Sequence, residues 1–328
     1  MIKSDEIQSI QKALEQSIDT YSFGSQPKAL YEPIRYLMNI GGKRIRPLLC
    51  LLSYGLYRED YEKILLPAMA TEVFHNFTLM HDDIMDQAPL RRGNATVHER
   101  WNANTAILSG DVMLVKAYDL LLDVPGEKLP QSIRLFNQTA SEVCEGQQLD
   151  MDFEAKETVT EPEYIEMIRL KTAVLLGFAL KFGAFLADAP EEDQDRLYEF
   201  GVNIGIGFQL KDDLLDVYAD KSIFGKQVGG DILSNKKTFL LIKAMELAKG
   251  ELAEKLAYWL QQKDFDKKEK VKAVTEIYDQ LAIRSLSESK MRSYFEKGFD
   301  QLPRLHPSSA VGLKRLWGLA EDLVNREK

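Results

Sequence analysis

Two acidic motifs carry the strongest chemical signal in the chain. Asp82, Asp83 and Asp86 form DDIMD, and Asp212, Asp213 and Asp216 form DDLLD much further along. On a helix, residues four apart share a face, about 40° from one another. Asp82 and Asp86 can therefore bind one cation, and the same spacing recurs at Asp212 and Asp216. His75, seven residues before Asp82, falls within about 20° of the same face. A solvated acidic helix face is the plain alternative for either motif alone. Chance supplies on the order of 0.1 such motif in a chain of this length, so two copies weigh against it. Both copies also sit in hydrocarbon: Val73, Phe74, Phe77, Leu79 and Met80 precede the first, and Ile204, Ile206, Phe208 and Leu210 the second. Carboxylates gathered in such surroundings repel one another and lose hydration, so they need cations. Oxygen ligands at this spacing suit Mg²⁺, which keeps waters and completes its shell with phosphate oxygens.

Basic residues stand near the first motif. Gly41-Gly42-Lys43-Arg44-Ile45-Arg46 places three cations at a helix end, and Arg91-Arg92-Gly93 follows DDIMD. Cations at a helix C-terminus also interact favourably with its dipole, which is the alternative reading of Lys43 to Arg46. Glu72-x-x-His75 matches half of a di-iron carboxylate site, but the chain has no second Glu-x-x-His, so that reading is set aside.

The elements that must hold these residues are helices. Apolar residues recur at spacings of three and four, with no convincing alternating strand pattern and no βαβ rhythm, so the fold class is all-α. Ile7, Ile10, Leu14 and Ile18 mark an amphipathic helix over 2–21. A second helix ends at Gly41-Gly42, Pro47 opens a third, and Pro67 opens the helix carrying His75 and DDIMD, which Pro89 ends. Residues 88–94 form a loop, 105–122 and 131–152 form helices, and Thr160 with Pro162 starts the helix that carries Lys171-Thr172. Residues 191–218 form the helix of the second motif. A Gly- and Lys-rich loop covers 220–236, and helices are expected over 238–248, 251–262, 267–301 and from 310 onward. The charge run 261–270 reads as a solvated connection. No repeat, low-complexity tract or linker divides the chain, which favours one domain over residues 1–328.

Composition excludes several classes. A net charge of −9 argues against nucleic acid as a partner. It does not exclude an anionic substrate, because local placement of Arg and Lys matters more than the sum. Two cysteines, Cys50 and Cys144, read as buried thiols, compatible with a reducing cytoplasm. The most apolar run, 173–187, contains Lys181 and falls short of the ~20 residues that a membrane span needs.

Taken in order, GGKRIRP at 41–47, His75, DDIMD at 82–86, RRG at 91–93, GD at 110–111, EGQQLD at 145–150, Lys171-Thr172, FQLKDDLLD at 208–216, FGK at 224–226 and Lys236-Lys237-Thr238 resemble the trans-isoprenyl diphosphate synthases of the polyprenyl synthetase family. The resemblance runs almost end to end. It implies a single all-α bundle around a deep central cavity, of isoprenoid synthase type, and a homodimer in the cytoplasm. The implied reaction is Mg²⁺-dependent condensation of isopentenyl diphosphate with an allylic diphosphate, with Mn²⁺ able to substitute.

By the same resemblance, Asp82, Asp86 and Asp212 ligate metal directly, and Asp83, Asp213 and Asp216 act through water or orient the ligands. Lys43, Arg46, His75 and Arg92 bind isopentenyl diphosphate. Arg91, Lys171, Lys226 and Lys237 bind the allylic diphosphate, with Lys236 an alternative to its neighbour. Thr172 and Gln209 face the allylic cation, and Arg326-Glu327-Lys328 could close the site or simply fray. Phe77, five residues before the first Asp, floors the cavity for the growing chain, with the small Thr78 beside it. That pattern is similar to enzymes making the twenty-carbon geranylgeranyl product, with farnesyl the runner-up. A terpene cyclase would usually carry a single DDxxD, and a non-catalytic subunit would have lost Asp from these motifs.

Overall fold

The computed structural model describes residues 5–219 and 229–325. The all-α expectation holds: among the described residues the only strands are the two-residue pair Leu90–Arg91 and Asn94–Ala95. The chain groups into two compact units. One comprises Met1–Thr139, Leu175–Tyr198 and Arg304–Leu319; the other comprises Ala140–Val174, Glu199–Pro303 and Ala320–Lys328.

In the first unit, helix Asp5–Thr20 buries the expected stripe of Ile7, Ile10, Leu14 and Ile18. Helix Lys28–Asn39 stops at Ile40, just before Gly41-Gly42, and helix Ile45–Tyr54 buries every residue from Pro47 onward. Pro67 lies in the first turn of helix Leu65–Met85, which ends at Asp86 and not at Pro89. The segment expected as a loop is a tight hairpin. Arg91 pairs with Asn94, and the two residues between them, Arg92 and Gly93, have φ of 52° and 77°. Positive φ at both central positions is what a type I′ turn requires, and glycine meets it without steric cost. Tyr36 Oη donates to Ala95 O at 2.7 Å, and Thr96 Oγ1 to Ala88 O at 2.7 Å, fixing the base of the hairpin. Helix Ala103–Leu121 follows, capped by Asn102, whose side chain accepts from the Thr105 amide. A Cβ on Gly183, in helix Val174–Leu186, would lie 2.0 Å from Cys50 O, so two backbones cross where no side chain fits. Cys50 is buried as expected, whereas Cys144 is exposed.

In the second unit, Thr160 and Glu163 close a reciprocal capping box at the start of helix Glu161–Ile168. The chain then widens into a π-helical turn over Arg169–Ala173, which contains Lys171 and Thr172. Such turns insert an extra residue into the helix and recur at functional sites. Gly146, in helix Leu129–Ala155, permits it, because a Cβ there would meet Lys171 N at 2.2 Å. Helix Glu191–Tyr218 has the expected bounds. A short helix, Gly230–Leu233, interrupts the expected loop, and helices Phe239–Leu247 and Glu251–Gln261 follow. The single helix expected over 267–301 is two, Lys267–Gln280 and Ile283–Phe299, broken at Ala282 with φ 54°. Their apolar faces join Leu240, Leu241, Ile277 and Ile283 in one core. The charge run is not wholly solvated: Asp266 caps the first of these helices and Lys270 is 1% exposed. Among the described residues, no helix is long and apolar enough to cross a membrane.

Candidate active site

The first acidic motif closes helix Leu65–Met85. Asp86 caps it, and its amide donates to Asp82 O at 2.8 Å, so the two residues stand one turn apart at the helix end. Asp83 is the buried member of the motif. It is 2% exposed and accepts from Arg91 Nε at 2.9 Å on both oxygens, with Arg91 Nη2 at 2.7 Å. Arg91 Nη2 also lies 3.7 Å from Asp82 Oδ2. The hairpin thus delivers a guanidinium that neutralises the buried acid of the motif and leaves Asp82 and Asp86 towards the helix end. Arg91, expected at the allylic diphosphate, is engaged within its own motif.

Beside this motif lies a dense group of cations. Arg44, with φ 47°, turns inward and meets Glu72 at 2.8 Å; both side chains are under a tenth exposed. Arg44 also donates to Met38 O, and Asn76 Nδ2 donates to Glu72 O at 2.8 Å and to Oε1 at 3.2 Å. Arg44 and Glu72 are therefore a buried ion pair, which removes both the di-iron reading of Glu72 and one of the three cations of the loop. Arg46 stays in the group. Its Nε is buried without a hydrogen-bond partner, and its pKa is pushed down to about 10, by burial foremost and by Arg92. Burial, with Arg46, Arg92, Arg91 and Arg44 around it, holds His75 neutral, its pKa well below the usual histidine value. Lys43 and Arg92 are exposed at the rim. Gly42 makes room for Arg92: a Cβ there would come within 2.7 Å of Nη1. A neutral imidazole among guanidiniums, with a buried N–H unspent, is a receptor for a multivalent anion.

The second motif, in the other unit, has its own set. Asp213 is buried and accepts from Tyr164 Oη and from Gln209 Nε2 at 3.1 Å. Burial raises its pKa. Thr172 Oγ1 reaches Gln209 Oε1 at 3.3 Å, so the two residues expected at the allylic cation are brought together. Asp212 is exposed. Asp216 accepts from the Asp231 amide at 2.9 Å. Lys171 pairs with Asp150 at 2.6 Å, and Lys236 lies 3.7 Å from the same carboxylate. Of the two adjacent lysines, Lys236 is thus the one beside Asp150, and Lys237 donates to Glu154 O at 3.1 Å. Lys226 and the Arg326–Lys328 tail lie outside the described residues.

Asp231 is a functional candidate that the motif spacing did not expose. Its pKa is pushed up to about 7, first by burial and then by the charges of Asp213 and Asp216. Its only local signal was the pair Gly229-Gly230 before it. Acids that raise one another in this way are the condition a divalent cation relieves. Among the described residues no three acidic, histidine or cysteine side chains could hold a metal ion by themselves. The carboxylate oxygens at each motif fit Mg²⁺, which takes one or two carboxylates and fills its octahedron with water and substrate phosphate.

The residues expected to govern chain length stand one to two turns before Asp82. Thr78 Oγ1 donates to His75 O at 2.8 Å and is locally satisfied. Phe77, half-buried, packs edge-on to His81 at 4.8 Å and against Phe74 at 5.6 Å. Phe74 joins Phe136, which meets Tyr118 and Phe178, and Phe178 stacks on Phe182. Phe77 is thus the outermost ring of an aromatic column that runs into the core.

The polyprenyl synthetase family model matches residues 27–278. The chain is 42% identical over 244 residues to a geranylgeranyl diphosphate synthase of Methanosarcina mazei, covering 74% of this chain and 75% of that one. It is 37% identical over 317 residues to the enzyme of the same name from Sulfolobus acidocaldarius, covering 95% and 94%. A crystal structure of a geranylgeranyl pyrophosphate synthase superposes with a TM-score of 0.93 at 40% identity, covering 98% of this chain and 99% of that one. Its all-α isoprenoid synthase fold is the one found here. Members of the family use a divalent metal. The chain belongs to the polyprenyl synthetase family and is a trans-isoprenyl diphosphate synthase, a prenyltransferase.

Proposed function

We propose that the chain condenses isopentenyl diphosphate with allylic diphosphates, with Mg²⁺ as its metal and geranylgeranyl diphosphate as its main product. The observation that carries this reading is that each acidic motif has a separate set of cations: Arg46 and Arg92 with neutral His75 for the first, Lys171 and Lys236 for the second. Two diphosphate-bearing substrates require two such sets. Asp82 and Asp86 would hold metal at the first motif and Asp212 at the second, where Asp216 and Asp231 would support it. When bound, the metal neutralises the charge that develops on the departing diphosphate.

The chain's own residues do the rest. Arg46, His75, Arg92 and Lys43 hold isopentenyl diphosphate. Lys171 and Lys236, aligned by Asp150, hold the allylic diphosphate, with Lys226 as a further contact. Asp150 itself is partly buried, which raises its pKa, but Lys236 and Lys171 outweigh that and keep it below the usual carboxylate value, so it is charged when it orients them. Thr172 and Gln209 present oxygens to the allylic carbon as its bond to oxygen breaks. The terminal alkene of isopentenyl diphosphate then attacks that carbon, and the released diphosphate takes the proton that is lost.

The relatives' names and the single aromatic at Phe77 support the twenty-carbon product. The exposed apolar residues Ile107, Leu108 and Val115 of helix Ala103–Leu121 support a homodimer formed through that face. We take residues 1–328 as one catalytic domain working in the cytoplasm. The test is incubation with Mg²⁺, isopentenyl diphosphate and each allylic diphosphate, followed by sizing of the dephosphorylated products. Twenty-carbon alcohol is expected, and no chain extension from any allylic starter would overturn the reading.

A further inference from the structure

Lys270 is the least explained charge in the second unit. It is 1% exposed, and the partners of its ammonium among the described residues are neutral. Burying an ammonium without a counter-charge is costly, and burial lowers its pKa. Among the described residues its polar side-chain contacts are with one short segment and a ring. Nζ donates to Asn235 Oδ1 at 2.7 Å and to Leu233 O at 3.5 Å, and lies 4.2 Å from the centroid of Phe265. Leu233 ends the helix Gly230–Leu233, and Asn235 follows with φ 54°. Asn235 Nδ2 in turn donates to Leu260 O at 3.1 Å. Next to Lys270, Val271 presses on Gly229, where a Cβ would come within 2.7 Å of Val271 Cγ2.

This clamped segment carries the two groups turned on the second acidic motif. Asp231 lies at its start and Lys236 at its end, and the Lys236 amide donates to Asp231 O at 2.9 Å. Asp216 receives the segment at two points: its backbone oxygen accepts from Gly229 N at 2.7 Å, and its carboxylate accepts from Asp231 N at 2.9 Å. Held only by Asp216, the turn could pivot about that residue. Besides Asp216, the turn is held by Lys270 through Asn235 and Leu233, by Leu260 through Asn235 Nδ2, and by Ile232 in the core.

We infer that Lys270 is a positioning residue: through Asn235 and Leu233 it fixes the turn that sets Asp231 and Lys236 beside the second acidic motif. The inference rests on the proposed role of that motif in holding metal and allylic diphosphate. An apolar side chain at 270 would avoid the desolvation cost, so stability alone does not explain a lysine there.

Two variants test this. Lys270→Met keeps the length and removes the donor. Asn235→Gly keeps the positive φ and removes both side-chain hydrogen bonds, so it cuts the same link from the other end and decides the matter if Lys270→Met does not fold. In both, the Mg²⁺ concentration for half-maximal rate and the KM for the allylic substrate should rise about tenfold, with the KM for isopentenyl diphosphate unchanged. The rise in Tm on adding Mg²⁺ and inorganic diphosphate should shrink in parallel. A lowered Tm with wild-type Mg²⁺ dependence and a wild-type ligand-induced shift would overturn the inference and make Lys270 mere packing. A wild-type chain lacking Mg²⁺-dependent synthesis would overturn the functional reading itself, a distinguishable failure.

Discussion

Gly42→Ala isolates the anion site of the first unit without touching a charge. A Cβ at Gly42 would lie 2.7 Å from Arg92 Nη1 and 3.1 Å from both Cζ and Nη2. Ordinary contact begins near 3.4 Å, so the guanidinium must retreat by about 0.7 Å. A charge-assisted hydrogen bond spans about 2.7–2.9 Å, and a retreat of that size breaks it. Losing one such contact to a phosphate costs on the order of 1.5–3 kcal/mol, tens- to hundredfold in affinity. The KM for isopentenyl diphosphate should rise by that factor, with the allylic KM nearly unchanged. Gly41→Ala is the control. Both glycines have positive φ, 156° at Gly42 and 89° at Gly41, so alanine strains the backbone at either; Gly41 has nothing within 4 Å of its Cβ position, so alanine there carries only that backbone cost, about 1–2 kcal/mol, and displaces no cation. It should lower Tm by a few degrees and leave both KM values in place. Steady-state kinetics with each substrate varied in turn, beside thermal melts, separates the two effects. Equal kinetics in the two variants would refute the assignment of Arg92 to isopentenyl diphosphate.

Asp82→Ala and Asp212→Ala should each reduce turnover by several orders of magnitude with far-UV circular dichroism unchanged; near-normal rates at saturating substrate in either would sink the two-motif metal reading. Phe77→Ala should lengthen the product by one or more five-carbon units and Thr78→Phe should shorten it, read by sizing the dephosphorylated products; an unchanged profile for Phe77→Ala would make Phe77 ordinary packing in the aromatic column. Glu163, held at a pKa of about 2 by the Thr160 amide and hydroxyl and by Lys156, lies below its ordinary 4.5, so its stabilisation is complete above about 4.5 and is lost as pH falls through 2. Glu163→Gln should flatten that part of the stability–pH profile in denaturant titrations, and an unaltered slope would show that the charge of Glu163 contributes nothing.

How much of this was legible in the sequence follows the range of the interaction concerned. Capping boxes, apolar stripes and i, i+4 carboxylates are settled within one or two turns, and Thr160–Glu163, the Ile7–Ile18 stripe and helix Glu191–Tyr218 stand where spacing put them. Helix ends were less legible, because Pro89 and Gly41 only bound where a helix can stop, while chain reversal decides where it does. The hairpin at Arg91–Asn94 was hidden in the same way: two residues per strand leave no alternation to detect, and only the positive φ at Arg92 and Gly93 defines it.

The roles of individual charges were least legible, since a charge is defined by its partner. Lys43, Arg44 and Arg46 are equivalent in a string of letters. Contact with Glu72, almost thirty residues away, makes Arg44 structural and leaves the buried Nε of Arg46 unspent. DDIMD likewise reads as three carboxylates, and Arg91 divides it into one buried ion pair and two acids left at the helix end. Lys236 and Lys237, adjacent in sequence, likewise differ in what faces them, Asp150 for the first and Glu154 O for the second. A motif therefore states which chemistry is present. The partner of each charge decides which members of the motif perform it, and that is a property of the fold.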